Sequence, residues 1–501
     1  MNDIALLRFN TLLLGSVLLV CADASTIAAE AVSHQSSIEG KWLVSHVGTA
    51  DNQTSIGLDI VSNKDGNMTV RSTMPIMNVF AQPVGIARPA GDAAFEIAEQ
   101  GIKLDLKDRE TLVVDGLLGG KSLSMSRTHS LPSRAPKLNL PTGPGPRWRV
   151  NIGGAIYAPV AVRAGTVYVG NTDGVLFALN ETDGTLVWTF SAGHAFYGGA
   201  LAVDDAVFVA SDDGFLYKIN RTDGKEIWHY ELTDARTGRV PPNPFVYDYD
   251  DQAPTPLLVE SVVYIGAADG SFHAVNAVTG KRVWRVQSNA KIRTTAAVKD
   301  SRVVFATMDG WVVALDRSTG AEDWSFKNSS EFTSGPAIFG DVVIVGNRDS
   351  RLRGLDESTG TERWKQTYWG SWVESTAVFR EGKGYIGSGD LFLVSCFDPA
   401  TGTNLWRTNV GGWVMQRPAV TDSRVYVGVS SARRRGSALV HQIGAVTALD
   451  RGSGKALWSW PMPEWPGSFL NGFFAAPVVA DGFVFIGGVD GSLYAFPDRE
   501  H

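Results

Sequence analysis

The sequence predicts an all-β protein in which an eight-bladed β-propeller follows a small β-barrel or β-sandwich domain. Three observations predict it. Eight of the 15 tryptophans, at 148, 188, 228, 284, 324, 364, 406 and 458, recur with separations of 40, 40, 56, 40, 40, 42 and 52 residues. Seven of these eight have glycine four residues earlier, from Gly184 to Gly454, where a tight turn needs a residue that tolerates positive φ; only Trp148 departs, with Pro144 at that place. Each tryptophan is followed by short apolar runs broken by turn signals, such as Val167-Tyr168-Val169-Gly170, Asn171-Thr172-Asp173-Gly174 and Val175-Leu176-Phe177-Ala178-Leu179. That pattern makes four short strands per unit.

Composition narrows the function classes. Among 501 residues, 45 Lys and Arg stand against 52 Asp and Glu, a net charge of −7, which argues against nucleic acid because phosphate binding needs clustered positive charge. The 54 glycines imply many tight turns, and only 2 cysteines rule out a disulfide framework.

The first element reads as an address. Residues 1–24 form a signal peptide: Arg8 precedes the apolar run Thr11 to Val20, too short to span a bilayer, and Ala22-Asp23-Ala24 offers a small-x-small cleavage site. Cys21 raises the rival of a lipid anchor, but Val20 stands where a lipoprotein signal requires a small residue, so release is favoured. No other segment is a membrane-span candidate, and the expected location is periplasmic or secreted.

Residues 36–128 read as a small all-β domain. Ile56, Leu58 and Ile60 alternate with polar residues, Lys64-Asp65-Gly66-Asn67 supplies a hairpin turn, and alternation returns over Ile102 to Leu106. Gly40-Lys41-Trp42 at its start resembles lipocalin-like barrels over those three residues. Residues 129–147, with Pro132, Pro136, Pro141, Pro144 and Pro146, predict an extended linker. The propeller then occupies 148–496. Its last unit contains three strands and no Trp strand, while Trp148-Arg149-Val150 is a Trp strand with no preceding three. The orphan first strand should complete the last blade and remove an open edge.

Units such as Tyr264 to Asn276 followed by Thr279-Gly280-Lys281-Arg282-Val283-Trp284 resemble the PQQ-type β-propeller repeat. The resemblance implies eight blades with Trp148, Trp188, Trp228, Trp284, Trp324, Trp364, Trp406 and Trp458 docking between them. Two kinds of protein share the repeat, quinoprotein dehydrogenases and non-enzymatic propellers such as the periplasmic outer-membrane protein assembly factor, and fold alone does not choose between them. A quinoprotein typically carries a vicinal disulfide and often a haem domain. This chain has neither a Cys-Cys pair nor C-x-x-C-H, and it shows no H-E-x-x-H, phosphate loop or complete EF-hand loop. Cys396 reads as a packed thiol.

What remains is a surface. Positions eleven residues before the second-strand tyrosine of the first unit, and their equivalents, are Tyr157, Tyr197, Ala253, Arg293, Thr333, Glu374, Met415 and Phe474, which should ring one mouth of the channel. Insertions lengthen the approach to this ring after Trp228 and after Trp458, and a third falls around Ser430 to His441. All should lie on the same face. The candidate binding residues there are Tyr157, Tyr197, Arg293, Glu374, Arg417, Trp372, Trp413 and Phe474, beside Tyr247, Asp248, Tyr249, Asp250, Asp251, Trp369, Arg433-Arg434-Arg435 and Trp465. Aromatics next to arginine suit partner and sugar sites because they give area and direction at low entropic cost; the plainer reading is that the aromatics cap the core and the charges are solvated. No catalytic or metal residue is assigned. The leading expectation is a non-catalytic scaffold that binds a protein or envelope polymer without a cofactor. The alternative is a PQQ- and Ca²⁺-dependent dehydrogenase with Glu374 and Arg293 at the quinone, and a further alternative is a carbohydrate-binding or sensor protein.

Overall fold

The computed structural model describes residues 38–45, 55–74 except 64 and 66, 79–90, 94–98, 101–115, 123–131, 138–233 except 139, 239, 250–368, 371–432, 444–463 and 470–498. The chain divides into two compact units, the first ending at Lys137 and the second beginning at Leu138. Among the described residues no helix is long and apolar enough to cross a membrane.

The first unit is a closed barrel, which decides between the barrel and sandwich expected from its alternation. Eight antiparallel strands run in sequence order from Gly40–Ser45 to Leu123–Thr128, and the first pairs with the last through Lys41↔Thr128, Trp42↔Arg127 and Leu43↔Ser126. Period-two alternation sends Ile56, Leu58, Ile60, Leu104, Leu112 and Val114 inward, all buried. Trp42 is fully buried at the seam, where its indole N–H donates to the Ile38 carbonyl at 2.9 Å and the Arg127 guanidinium lies 4.2 Å from the ring centroid. Arg127 also donates to the Glu39 carbonyl at 2.8 Å. The seam therefore has aromatic, cationic and main-chain contacts where the barrel closes.

The second unit is an eight-bladed propeller of antiparallel sheets. Blade one comprises Ala161–Arg163, Thr166–Gly170, Val175–Asn180 and Leu186–Ser191, innermost strand first. Blades two to seven repeat that order over 201–231, 257–287, 297–327, 337–367, 378–409 and 419–461. Blade eight takes Val478–Ala480, Phe483–Gly487 and Ser492–Pro497 from the end of the chain and Trp148–Asn151 from before blade one. The closing register is Ala495↔Trp148, Tyr494↔Arg149, Leu493↔Val150 and Ser492↔Asn151, reinforced by an Arg149–Asp490 ion pair at 2.6 Å. Buried residues of the middle strands, such as Tyr168, Val207, Val303, Val343 and Phe485, fill the wedges between neighbouring blades.

One interaction links each outer strand to the next blade. The indole N–H of Trp148 donates to the Glu181 carbonyl at 3.0 Å, Trp188 to Arg221 at 2.9 Å, Trp284 to Arg317 at 2.9 Å and Trp324 to Glu357 at 2.8 Å. Trp228, Trp364 and Trp406 make the same bond to Ala277, Pro399 and Arg451. In each case the ring also covers the glycine of that turn. Gly184, Gly224, Gly280, Gly320, Gly360, Gly402 and Gly454 all have φ between 68° and 76°, and a Cβ on any of them would come within 3.0 Å of the docked tryptophan. Glycine is thus required twice over, by dihedral and by space. Trp458 lacks a glycine four residues before the next Trp strand, since that place holds Pro144. Gly143 takes the role one residue earlier: its absent Cβ leaves room for the Trp458 ring, and Pro141 and Gly143 exchange hydrogen bonds with Ser459 at 2.7 and 2.9 Å. The end of the Pro-rich linker is therefore paired to blade seven.

This dual requirement predicts an ordering of stabilities. Gly320→Ala should cost about 2–5 kcal/mol, combining a left-handed backbone with overpacking against Trp284. Gly382, with a φ of 75° but nothing within 4 Å of the added carbon, isolates the backbone part, and Gly382→Ala should cost only about 1–2 kcal/mol. Denaturant midpoints check the order; equal losses would mean that the ring contact contributes nothing.

Candidate functional site

The insertion-rich face is built by a recurring local device. In blades one, two, four, five and six the second residue of the turn between the second and third strands donates its backbone N–H to the segment leading into the same blade: Thr172 to Ala155, Asp212 to Ala195, Met308 to Lys291, Arg348 to Glu331 and Gly389 to Trp372. The side chain at this turn position consequently sits beside the leading segments. In blades two and five it is charged, as Asp212 and Arg348, and both charges enter the site.

Three aromatic residues of the candidate ring meet where blades eight, one and two adjoin. Tyr157 stacks on Tyr197 with centroids 5.4 Å apart and meets Phe474 edge-on at 5.9 Å. The guanidinium of Arg239, from the insertion between blades two and three, lies 4.0 Å from the Tyr197 centroid. Arg239 is ion-paired to Asp212 through Nε and to Asp250 through Nη1 at 3.0 Å, and donates to the Gln252 carbonyl at 2.7 Å. Burial pulls Arg239 down, but Asp212 and Asp250 outweigh it and hold its pKa above the ordinary range. Burial, followed by Asp251 and Tyr197, raises Tyr157 and keeps its phenol neutral.

The opposite arc is ionic. Arg293 pairs with Asp250, its Nε donating at 3.0 Å, while Lys291 reaches the same carboxylate at 3.4 Å. Burial, then the nearby Arg239, lowers the pKa of Arg293. Glu374 accepts from Thr333 Oγ1 at 2.9 Å and from Arg348 Nε at 2.6 Å, and Arg348 also pairs with Glu331 at 2.8 Å and lies 4.5 Å from the Trp372 centroid. The second oxygen of Glu374 is buried with no hydrogen-bond partner among the described residues. Two further carboxyls feel that charge. Burial, followed by Glu374, raises Asp251 from 3.8 to about 7, and burial, again with Glu374, raises Asp390 to about 6 against the hydrogen bond that Asp390 receives from the Trp413 indole.

Across the axis, the Gln416 side-chain amide donates to Gln252 Oε1 at 2.9 Å. These residues lead into blades seven and three, which stand opposite one another in a ring of eight. The hydrogen bond therefore spans the channel. On the face itself, the second strand of blade seven, Arg424–Ala432, runs past its partners, pairs with Leu470–Gly472 through Ser430↔Gly472 and Ala432↔Leu470, and forms a bridge between Ser430 and Trp413. Two separate insertions are thus joined into one ledge.

Of the candidate residues, Tyr157, Arg293, Glu374 and Phe474 are buried and engaged internally, Tyr197, Trp372 and Trp413 are half-buried, and Arg417 is exposed. Tyr247, Asp248, Tyr249, Trp369, Arg433 to Arg435 and Trp465 lie outside the described residues, as do Cys21 and the whole of the signal segment. Cys396 is a buried free thiol. Arg239, Arg348, Asp390, Gln252 and Gln416 were not singled out from sequence. For Arg348 a signal was present, because charge occupies the second turn position only in blades two and five of the aligned units. No local pattern marks the others.

Arg293 and Glu374, the pair that a quinone would need, are each committed to partners within the chain. Among the described residues no group of three or more His, Cys, Asp or Glu is disposed to hold a metal ion.

A family model described as outer membrane protein assembly factor BamB matches residues 137–253, 249–378 and 348–430. No curated protein matches the chain by sequence. Among solved structures, the chain is similar to the computationally designed Ika8 protein at 18% identity and a TM-score of 0.54, over 69% of this chain and 97% of that one. It is similar to quinohemoprotein alcohol dehydrogenase from Comamonas testosteroni at 14% identity and a TM-score of 0.52, over 71% and 76% of the two chains. BamB from Moraxella catarrhalis aligns at 23% identity and a TM-score of 0.46, over 56% of this chain and 82% of that one. At these identities the likeness is one of fold.

The raised carboxyls predict a pH dependence. Asp251 holds its proton in the folded protein up to about 7, whereas in the unfolded chain it releases it near 3.8, so its stabilising contribution is complete below 3.8 and lost as pH rises through 7. Asp390 adds to the same fall up to about 6. Asp251→Asn should therefore raise the melting temperature at about pH 8 relative to the parent protein and change it little at about pH 4. Parallel melting curves for the two proteins across that range would show Asp251 to be ionised in the fold.

Proposed function

The chain belongs to the PQQ-like propeller family represented by the outer membrane protein assembly factor BamB model, and from that premise we propose that it is an exported, non-catalytic scaffold that docks a protein partner on its insertion-rich face. One observation carries the reading. The axis at this face is occupied by the chain's own groups: Gln252 and Gln416 meet across it, and Arg239 is held by Asp212, Asp250 and the Tyr197 ring. A planar cofactor would have to displace several charge-assisted hydrogen bonds, each favourable by about 1.5–3 kcal/mol. The same network gives a partner a rigid floor, with Trp413, Trp372 and the paired ledge of Ser430–Ala432 and Leu470–Gly472 around it. Preorganised aromatic and arginine surfaces bind with little ordering cost. The description of the family model points to an outer-membrane protein assembly as the partner class, and the expected location is the periplasm.

Two measurements test this reading. Photo-crosslinkers at Ala432 and Trp372 should capture the same envelope protein in the native host, while one at Val278, on the exposed outer rim of blade three, should not. Adding PQQ and Ca²⁺ to purified protein should leave its melting temperature unchanged and support no dye-linked oxidation of alcohols or sugars, because a ligand that binds only the native state must stabilise it. Stoichiometric PQQ uptake with turnover would replace the scaffold by the dehydrogenase reading.

A further inference from the structure

Among the described residues, Arg417 has no counter-charge. Arg417 lies in the segment that leads into Ala419–Val420, the innermost strand of blade seven, one residue past the glutamine that crosses the axis. Its side chain is exposed to solvent. Burial is nevertheless the sole cause that lowers its pKa, with no carboxylate contributing. Among the described residues it has no ion pair or hydrogen bond, whereas three buried arginines of the propeller are matched: Arg239 with Asp212 and Asp250, Arg293 with Asp250, and Arg353 with Asp349 and Glu362.

The repeat identifies what shares its level. The equivalent positions of the other seven blades are Thr255, Thr295 and Thr376, with proline, glycine or alanine at the remaining four, so none of them carries a charge. Two residues further along the innermost strands, all eight blades have Ala, Leu or Val. Neither set of equivalent positions supplies Arg417 with a counter-ion. The three threonines are half-buried, and each hydroxyl accepts one backbone N–H from the preceding blade: Gly199 to Thr255 at 3.2 Å, Thr255 to Thr295 at 2.9 Å and Gly335 to Thr376 at 3.0 Å. None donates to a protein group among the described residues, so each retains an O–H to give.

We propose that Arg417 and the threonine hydroxyls at its level bind one small oxyanion, a phosphate or a carboxylate, within the propeller channel. An oxyanion would supply the counter-charge that Arg417 lacks among the described residues and match the planar fork of its guanidinium. The size limit follows from the Gln252–Gln416 hydrogen bond, which closes the axis beside the site and excludes a polymer threaded through the ring. This site is independent of the docking function proposed above and holds whether or not a partner is found.

The test uses the full mature chain in a buffer free of oxyanions, with chloride holding ionic strength constant. Phosphate, and separately acetate and succinate, are titrated by calorimetry and by melting temperature, so that the two arms distinguish an inorganic anion from a carboxylate ligand. At least one should bind saturably with a stoichiometry near one. Arg417→Gln should weaken that binding by roughly 10- to 100-fold, the loss expected for charge-assisted hydrogen bonds, while melting no lower than the parent in anion-free buffer. Arg417→Lys, which keeps the charge but not the fork, should fall between them, and Thr376→Val should weaken binding without changing stoichiometry. Absence of saturable binding in both arms, or equal affinity in the parent and Arg417→Gln, overturns the proposal. If Arg417→Gln melts much lower than the parent without anion, Arg417 has a structural role instead, and the proposal is likewise overturned.

Discussion

The propeller depends on a tryptophan seated on a glycine of the next blade. A four-stranded sheet buries one wedge against each neighbour but leaves its outer strand with a free edge and one bare face. The indole covers the neighbouring turn and donates its only N–H to a carbonyl there, so a large apolar area is buried without an unsatisfied polar group. Because the acceptor turn always belongs to the following blade, the contact is directional and propagates around the ring. Closure uses the same seating of ring on glycine between residues far apart in the chain, since Trp458 docks on Gly143 of the linker. Displacing the glycine by one residue is tolerated because the linker is free of a preceding strand and can set its own register.

That repetition frees the loops on one face to vary. In blades one, two, four, five and six the leading segment is held by a backbone hydrogen bond to a turn of the blade it enters, so its backbone is fixed whatever its side chains do. The insertion after blade two uses this freedom to turn Arg239 and Asp250 into the channel, where each satisfies more than one partner. Burial, followed by the nearby Glu374, drives Asp251 and Asp390 toward their protonated forms. A network of this kind holds its members in one arrangement.

The fold was largely legible in the sequence. Tryptophan spacing, the glycine four residues before, and the strand-turn-strand pattern are short-range consequences of one repeating unit, and an orphan Trp strand at the start with a last unit that lacks one implies a ring. The choice of barrel over sandwich for the first unit was not legible, since alternation is the same in both and only the pairing of Lys41 with Thr128 distinguishes them. Nor was the role of Gly143, because the repeat pointed one residue away.

The candidate site divides along the same line. Sequence by itself determined which residues stand at equivalent positions around the channel, because equivalence follows from counting within a repeat; Tyr157, Tyr197 and Phe474 do meet there, and Arg417 does stand among uncharged equivalents. Tertiary structure alone decided which of those side chains remain available. Arg293 and Glu374 are engaged because Asp250 and Arg348 arrive from other blades and from an insertion without periodicity, and Gln252 meets Gln416 only because blades three and seven face each other. Counting along a chain gives the angular position of a residue in the ring, but charge pairing across the ring depends on distances through the axis, which no local pattern encodes.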